Sequence, residues 1–258
     1  MPSRPNAKIV FITGGGPLYW IIANALVERF GPLTIIREQA EPKGLFLKRR
    51  IKRLGVITVA GQVAFSFLSK VISKRSELQR QAIVSSAGAN TDEPAGCEII
   101  DVDSVNSTAC RQALQAIKPD AVMVVGARII KKETLSCIDA PFINYHPGIT
   151  PKYRGMNGAY WTLATGDAEN LGVTMHLVDE SVDTGDVLYQ ERCTMPPGNN
   201  ITTYHHVLAV AARPLAVKAI EDAVAGNLKP RKVDLPSIQW YHPTLWGYLW
   251  TGLTRRVW

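Results

Sequence analysis

The sequence is poor in the features that mark disulfide scaffolds, zinc modules and membrane-spanning proteins. It has four cysteines, Cys97, Cys110, Cys137 and Cys193, and none stands at C-x-x-C spacing. That spacing argues against a zinc module or a dithiol redox motif. Scattered single cysteines suit a reducing compartment, so a cytoplasmic location is expected. The opening stretch, MPSRPNAKIVFITGGG, has one short apolar run that reads as a strand, without the cleavable pattern of a secretory leader. The stretch between Arg53 and Lys70 is uncharged but carries Gly55, Thr58, Gly61, Gln62, Ser66 and Ser69. It falls short of the about 20 apolar residues of a spanning helix, so a buried or interfacial helix is expected. There is no internal repeat and no low-complexity tract. Acidic residues are the minority, 22 Asp and Glu against 29 Lys and Arg, for a net charge of +7. A basic surface favours anionic partners: nucleotides, nucleic acid or acidic lipid headgroups.

What is present is an alternation of strand and helix signals. Residues 8–13 (KIVFIT) form an apolar run ending in Gly14-Gly15-Gly16, and Leu18, Ile21, Ile22, Ala25, Leu26 and Val27 follow on one helical face. This is the strand, turn and helix that open a doubly wound α/β domain. Further strands are expected at 33–37, 98–102, 142–146, 173–178 and 187–192, with a central buried strand at AVMVVGA. Helices are expected over 104–116, near 159–165 and over 201–224, the last stopped by Gly226. Residues 42–82 interrupt this rhythm with a basic cluster (Lys43, Lys48, Arg49, Arg50, Lys52, Arg53) and apolar residues at helical spacing. One or two inserted helices are expected there. The fold class is therefore α/β: a Rossmann-like, doubly wound, mostly parallel sheet over residues 1–230 with a helical insertion. Residues 231–258 form a short aromatic extension that holds Trp240, Trp246, Trp250 and Trp258, four of the six tryptophans.

Asn144 and His146 stand two apart on a strand, so they leave the same face, just before Pro147-Gly148. Ligands of open α/β sheets bind beyond the carboxyl ends of the strands. A histidine there can move protons near neutral pH, and an asparagine amide can donate to a developing oxyanion. Taken alone, N-x-H fits better a histidine that merely hydrogen-bonds a loop. Gly15 and Gly16 precede a helix N-terminus, which attracts anions. Tyr19 occupies the third glycine position of G-x-G-x-x-G, so a substrate phosphate is expected rather than a dinucleotide. Tyr19, Trp20 and Tyr160 are candidates to stack on a base or sugar.

Three motifs follow in order: N-x-H-P and P-x-Y-R-G within NYHPGITPKYRGMNGAYW, then GVTMHLVDESVDTGDVL. Together they resemble the catalytic half of the folate-dependent formyltransferases, most densely over residues 121–188. That superfamily includes the glycinamide ribonucleotide, methionyl-tRNA and nucleotide-sugar N-formyltransferases. The resemblance implies a catalytic triad at Asn144, His146 and Asp183. In it Asn144 and protonated His146 donate to the oxyanion, while Asp183 orients the ring and relays the amine's proton. It implies N10-formyltetrahydrofolate as co-substrate, with no metal. Gly126, Arg128, Ile129 and Ile130 would hold it on one side, Val178 and Asp179 on the other. Arg154, Gly155 and Asn157 would border the acceptor. His176 is read as loop support, and His205 and His206 as structural or solvated.

By family comparison, methionyl-tRNA enzymes carry a C-terminal barrel domain, for which the residues after Pro230 are too few. Nucleic acid is therefore not expected as a partner. A deformylase's N-terminal domain has no room before residue 8, and glycinamide ribonucleotide enzymes lack counterparts of the insertion and tail. The expected acceptor is a nucleotide-linked aminosugar, with most likeness to the GDP-perosamine N-formyltransferases of O-antigen synthesis. Glycinamide ribonucleotide or another small amine is the alternative. A third reading is a catalytically silent module peripheral to the inner membrane, held by the basic insertion and aromatic tail. The tail is otherwise expected to be buried in a homodimer.

Overall fold

Alternation along two central strands decides how the chain layers. In the computed structural model, which describes residues 7–258, β1 (Ile9–Thr13) and β4 (Ala121–Val125) are buried throughout. Ile9, Phe11, Met123 and Val125 enter one core, and Val10, Ile12, Val122 and Val124 enter a second. A strand apolar on both sides needs cover on both faces. On the first face α1 (Pro17–Phe30) packs against α8 (Tyr204–Val224). On the second, α5 (Thr108–Ile117) brings Cys110 and Leu114, one turn apart, and α6 (Lys132–Leu135) adds Leu135. Ser107 caps α5 by accepting from the Cys110 N–H.

The seven-stranded sheet has the order β3-β2-β1-β4-β5-β7-β8. β2 (Thr34–Glu38), β3 (Glu98–Val102) and β5 (Phe142–His146) are parallel to β1 and β4. β7 (Gly172–Leu177) runs antiparallel to β5, and β8 (Val187–Arg192) antiparallel to β7. The strand order reverses between β1 and β4, the kind of switch point where a crevice forms.

Residues 42–82 belong to three helices rather than one or two: α2 (Lys43–Leu54), α3 (Val56–Arg75) and α4 (Glu77–Ser86). Gly55, at φ 81, separates the first two, and Ser76 separates the next pair. Each break is a single residue, which leaves the apolar spacing almost unbroken.

The C-terminal extension folds back on its own domain. β9 (Gln239–Trp240) pairs in parallel with β6 (Arg154–Gly155), the short strand ahead of α7 (Gly158–Ala164). The Trp240 ring stacks on Tyr153 and Trp161, at centroid distances of 5.9 and 4.7 Å. α9 (Leu245–Arg255), capped by Thr244, crosses α3 at Gly61, where a Cβ would lie 2.4 Å from the Trp246 indole. Tyr248 is buried beside Phe65, Tyr160 and Trp258. Part of the aromatic tail is thus consumed within the chain.

Candidate active site

A cavity of about 360 Å³ opens at the carboxyl ends of β4 and β5. The register of β5 on β7 sets Asn144 opposite His176. Asn144 Nδ2 lies 3.0 Å from His176 Nε2 and 3.2 Å from Asp183 Oδ1. His176 Nδ1 is 2.7 Å from the Leu177 carbonyl, so that nitrogen carries a ring proton. Asp183 arrives on the turn between β7 and β8 at φ 51, a left-handed conformation that Asp adopts more readily than most residues. Its carboxylate also accepts the Gly155 N–H at 2.9 Å and stands 3.3 Å from His146 Nδ1. His146 Nε2 is 2.6 Å from the Tyr153 carbonyl. The structure therefore brings Asn144, His146 and Asp183 together, with His176 as a fourth member.

Burial acts to raise the Asp183 pKa, but the His146 and His176 rings and the Gly155 N–H outweigh it, and the carboxyl is held well below its usual range. At His146 the loss of water outweighs the pull of Asp183, and its pKa lies below the ordinary 6.5. Nε2 faces the Tyr153 carbonyl and donates a proton to it. Desolvation thus works against the protonated histidine that the resemblance implied, and Asp183 works for it. Nδ1 is left facing the carboxylate, so a proton arriving there gains an ionised partner.

The other expected ligands divide. Gly126, at φ 67, admits the Tyr19 ring, which a Cβ would meet at 2.3 Å. Tyr19, Ile129 and Val178 line the cavity. Ile130 lines it too, but its side chain is buried in the second core. Arg128 reaches the cavity edge while its guanidinium is committed elsewhere, 2.6 Å from Glu38 and 2.8 Å from the Gln39 carbonyl. It braces the loop after β4 rather than offering a free cation. Asp179 accepts from the Thr184 hydroxyl at 2.8 Å and the Ser181 N–H at 3.1 Å, so it shapes the 178–183 loop. Arg154 donates to the Val182 carbonyl at 2.7 Å and ties the same loop down.

Two of the expected stacking rings are not available, and the glycine turn stands apart from the cavity. Gly15 and Gly16 lie outside the cavity lining, and Gly15 donates to Thr13 Oγ1 at 3.0 Å. Trp20 faces the first core beside Phe11, because the helical period turns it toward the sheet. Tyr160 is buried with it in that core. Neither ring is free to stack on a ligand.

Asn157 anchors a second polar group. At φ 57, its Nδ2 is 2.8 Å from His242 Nδ1 and its Oδ1 is 3.1 Å from His205 Nε2. All three line the cavity. Burial pushes His205 and His242 each down to about 4, so both are neutral. Sequence reasoning set His205 aside and gave His242 no role. A histidine pair at a helix start is a weak signal, and nothing local to the tail says that it returns to the sheet edge. Among the described residues, no group of three or more His, Cys, Asp or Glu is placed to hold a metal ion.

The profile of the formyl transferase family matches residues 48–220. The chain belongs to this family. Formyl transferases similar to it in sequence include the methionyl-tRNA formyltransferase of Acidobacterium capsulatum, 34% identical over 142 residues, which are 54% of this chain and 45% of that protein. The chain spans about half the length of the curated relatives it matches. Solved formyl transferases with the same fold include a sugar N-formyltransferase from Shewanella sp FDAARGOS_354, with a TM-score of 0.56 at 14% identity over 90% of this chain and 76% of that one. Glycinamide ribonucleotide transformylase 1 from Symbiobacterium toebii gives 0.57 at 16% identity over 89% and 96%.

Proposed function

We propose that this formyl transferase moves a formyl group from N10-formyltetrahydrofolate to the amino group of a nucleotide-linked aminosugar, in the cytoplasm, for a surface polysaccharide such as O-antigen. The observation that carries formyl transfer is the meeting of Asp183 with Asn144 and His146, at 3.2 and 3.3 Å. An amine that attacks a carbonyl carbon must shed a proton, and the carbonyl oxygen must be met by donors as its charge grows. Asn144 has its N–H groups on exchangeable partners, His176 and Asp183, and turns one to that oxygen. His146 takes the proton at Nδ1 and passes it to N10 as the bond from N10 to the formyl carbon breaks and tetrahydrofolate leaves. Asp183 is too acidic to be an efficient base near neutral pH, and its work is to stabilise the imidazolium that results.

The lining suits the folate by its chemistry. Irregular backbone from Gly126 to Ile130 presents amide edges, and Tyr19, Ile129 and Val178 present apolar walls. A flat heterocycle with a hydrogen-bonding rim fits such a slot. When bound, the folate supplies the formyl carbon on N10.

The aminosugar reading is supported by the likeness of GGGPLYW and QWYHPT to GDP-perosamine N-formyltransferases, and by a net charge of +7 that complements a nucleoside diphosphate. The sequence likeness to methionyl-tRNA formyltransferases favours a second reading, with the amine on an aminoacyl-tRNA. The test incubates the protein with N10-formyltetrahydrofolate and, separately, GDP-perosamine, dTDP- and UDP-linked aminosugars, glycinamide ribonucleotide and methionyl-tRNA. Mass spectrometry then reads the gain of one formyl group. Formylation of a nucleotide aminosugar is expected. Formylation of methionyl-tRNA alone overturns the acceptor, and no formylation of any acceptor overturns the reaction.

A further inference from the structure

The acidic residues are unevenly placed. None of the 22 Asp and Glu lies within 42–76 or 235–258, the stretches that form α2, α3 and α9. α3 and α9 lie side by side, joined by Trp246 over Gly61 and by Phe65 against Tyr248, 5.0 Å apart. Many of the outward residues of both are large and apolar. Ile57 and Phe67 on α3 are 78% and 64% exposed, and Trp250 and Leu253 on α9 are 70% and 75% exposed. Trp246, Leu249, Trp250 and Leu253 recur at helical spacing as one exposed stripe. Cations flank this surface: Lys70, Lys74 and Arg75 are exposed on α3 and Arg255 on α9, and Lys70 Nζ sits 5.5 Å from the Phe67 ring.

We propose that the α3–α9 face docks on an anionic lipid bilayer, with both helices lying in the interface. An exposed apolar surface of this kind requires a partner. Tryptophan and leucine enter the headgroup boundary, and lysine and arginine beside them meet acidic headgroups. α3 is long and apolar enough to cross a membrane by length and composition. Its other face excludes crossing in the folded protein: Val59, Gly61, Gln62 and Phe65 are buried, and the Gln62 side chain bonds Arg50 and the His242 carbonyl, at 2.9 and 2.8 Å. A second copy is the poorer occupant. A two-fold interface sets a patch against itself, and these helices would bring cations to cations with no carboxylate of their own to separate them.

The experiment is co-sedimentation of the whole protein with vesicles, of phosphatidylcholine alone or mixed with phosphatidylglycerol at about three to one. The expected result is binding to the mixed vesicles, with a blue shift of tryptophan fluorescence, weakening as salt rises. Leu253→Glu, at an exposed position, is expected to weaken binding by about tenfold or more, and Lys70→Glu with Lys74→Glu by about fivefold per charge removed. Circular dichroism checks that each variant folds. Failure to bind the mixed vesicles overturns the proposal, as does binding that none of these variants alters. Failure to bind, together with a solution dimer that Leu253→Glu dissociates, assigns the face to a second copy instead.

Discussion

Two polar groups share the cavity wall, each built around an asparagine in contact with histidine. Asn144 joins His176, Asp183 and, through the carboxylate, His146. Asn157 joins His205 and His242. The difference is one carboxylate. Asp183 is ionised and gives His146 somewhere to put a proton. His205 and His242 have no carboxylate in contact, and burial holds both near 4. Similar residues in one pocket are therefore suited to different work: the first group to handling charge, and the second to neutral hydrogen bonds.

Breaking the first group is expected to cost most. Asp183→Asn keeps the shape and removes the charge, and kcat is expected to fall by about 10³. Asn144→Ala and His146→Ala are expected to lose about 10²–10³ in kcat with melting temperatures close to that of the parent protein. Normal turnover in Asn144→Ala would sink its assignment as the oxygen's donor.

The second group is expected to yield a smaller and different loss. His205→Ala is expected to raise KM for the acceptor by about tenfold, the worth of one hydrogen bond to a ligand, with kcat little changed. A fall in kcat as deep as that of Asn144→Ala would erase the division of labour.

Acid sharpens the contrast in stability. His205, His206 and His242 have folded pKa values of about 4, below the unfolded 6.5. Between these limits the unfolded chain binds more protons, so stability is full above pH 6.5 and is lost as pH falls toward 4. Each ring contributes about 1–2 kcal/mol to that loss. Asp183 takes no part in this window, because its pKa is depressed and its contribution fades only below the ordinary 3.8. Urea unfolding at pH 7 and pH 5 measures the slope, and His205→Gln with His242→Gln is expected to flatten it. An unchanged slope would mean that water reaches these rings.

Much of the fold was legible because its signals are local. β1 and β4 are written in runs of apolar residues, and the two-residue spacing of Asn144 and His146 is a property of one strand. Asp183 was legible only by motif, since 39 residues separate it from Asn144. The place of the glycine turn after β1 was not legible, because strand, glycine and helix have one appearance whether or not they border the cavity. Here the Arg37 side chain fills the space beside Gly15. Trp20 misled because composition does not tell which face of a helix turns inward. The burial of His146 was hidden too, since it depends on segments far along the chain. The return of residues 239–242 had no local sign at all.

That return has a consequence for how the protein is made. His242 meets Asn157 across 85 residues of chain, and β9 closes on β6 from the same distant segment. A chain emerging from the ribosome presents β5, its histidine and the Asp183 turn well before the wall beside them exists. Because such distant contacts form late, the corner that holds Asn144 and Asp183 is expected to take shape before the Asn157–His242 wall beside it. Any ligand that touches this wall would then bind only after residues 239–242 have docked.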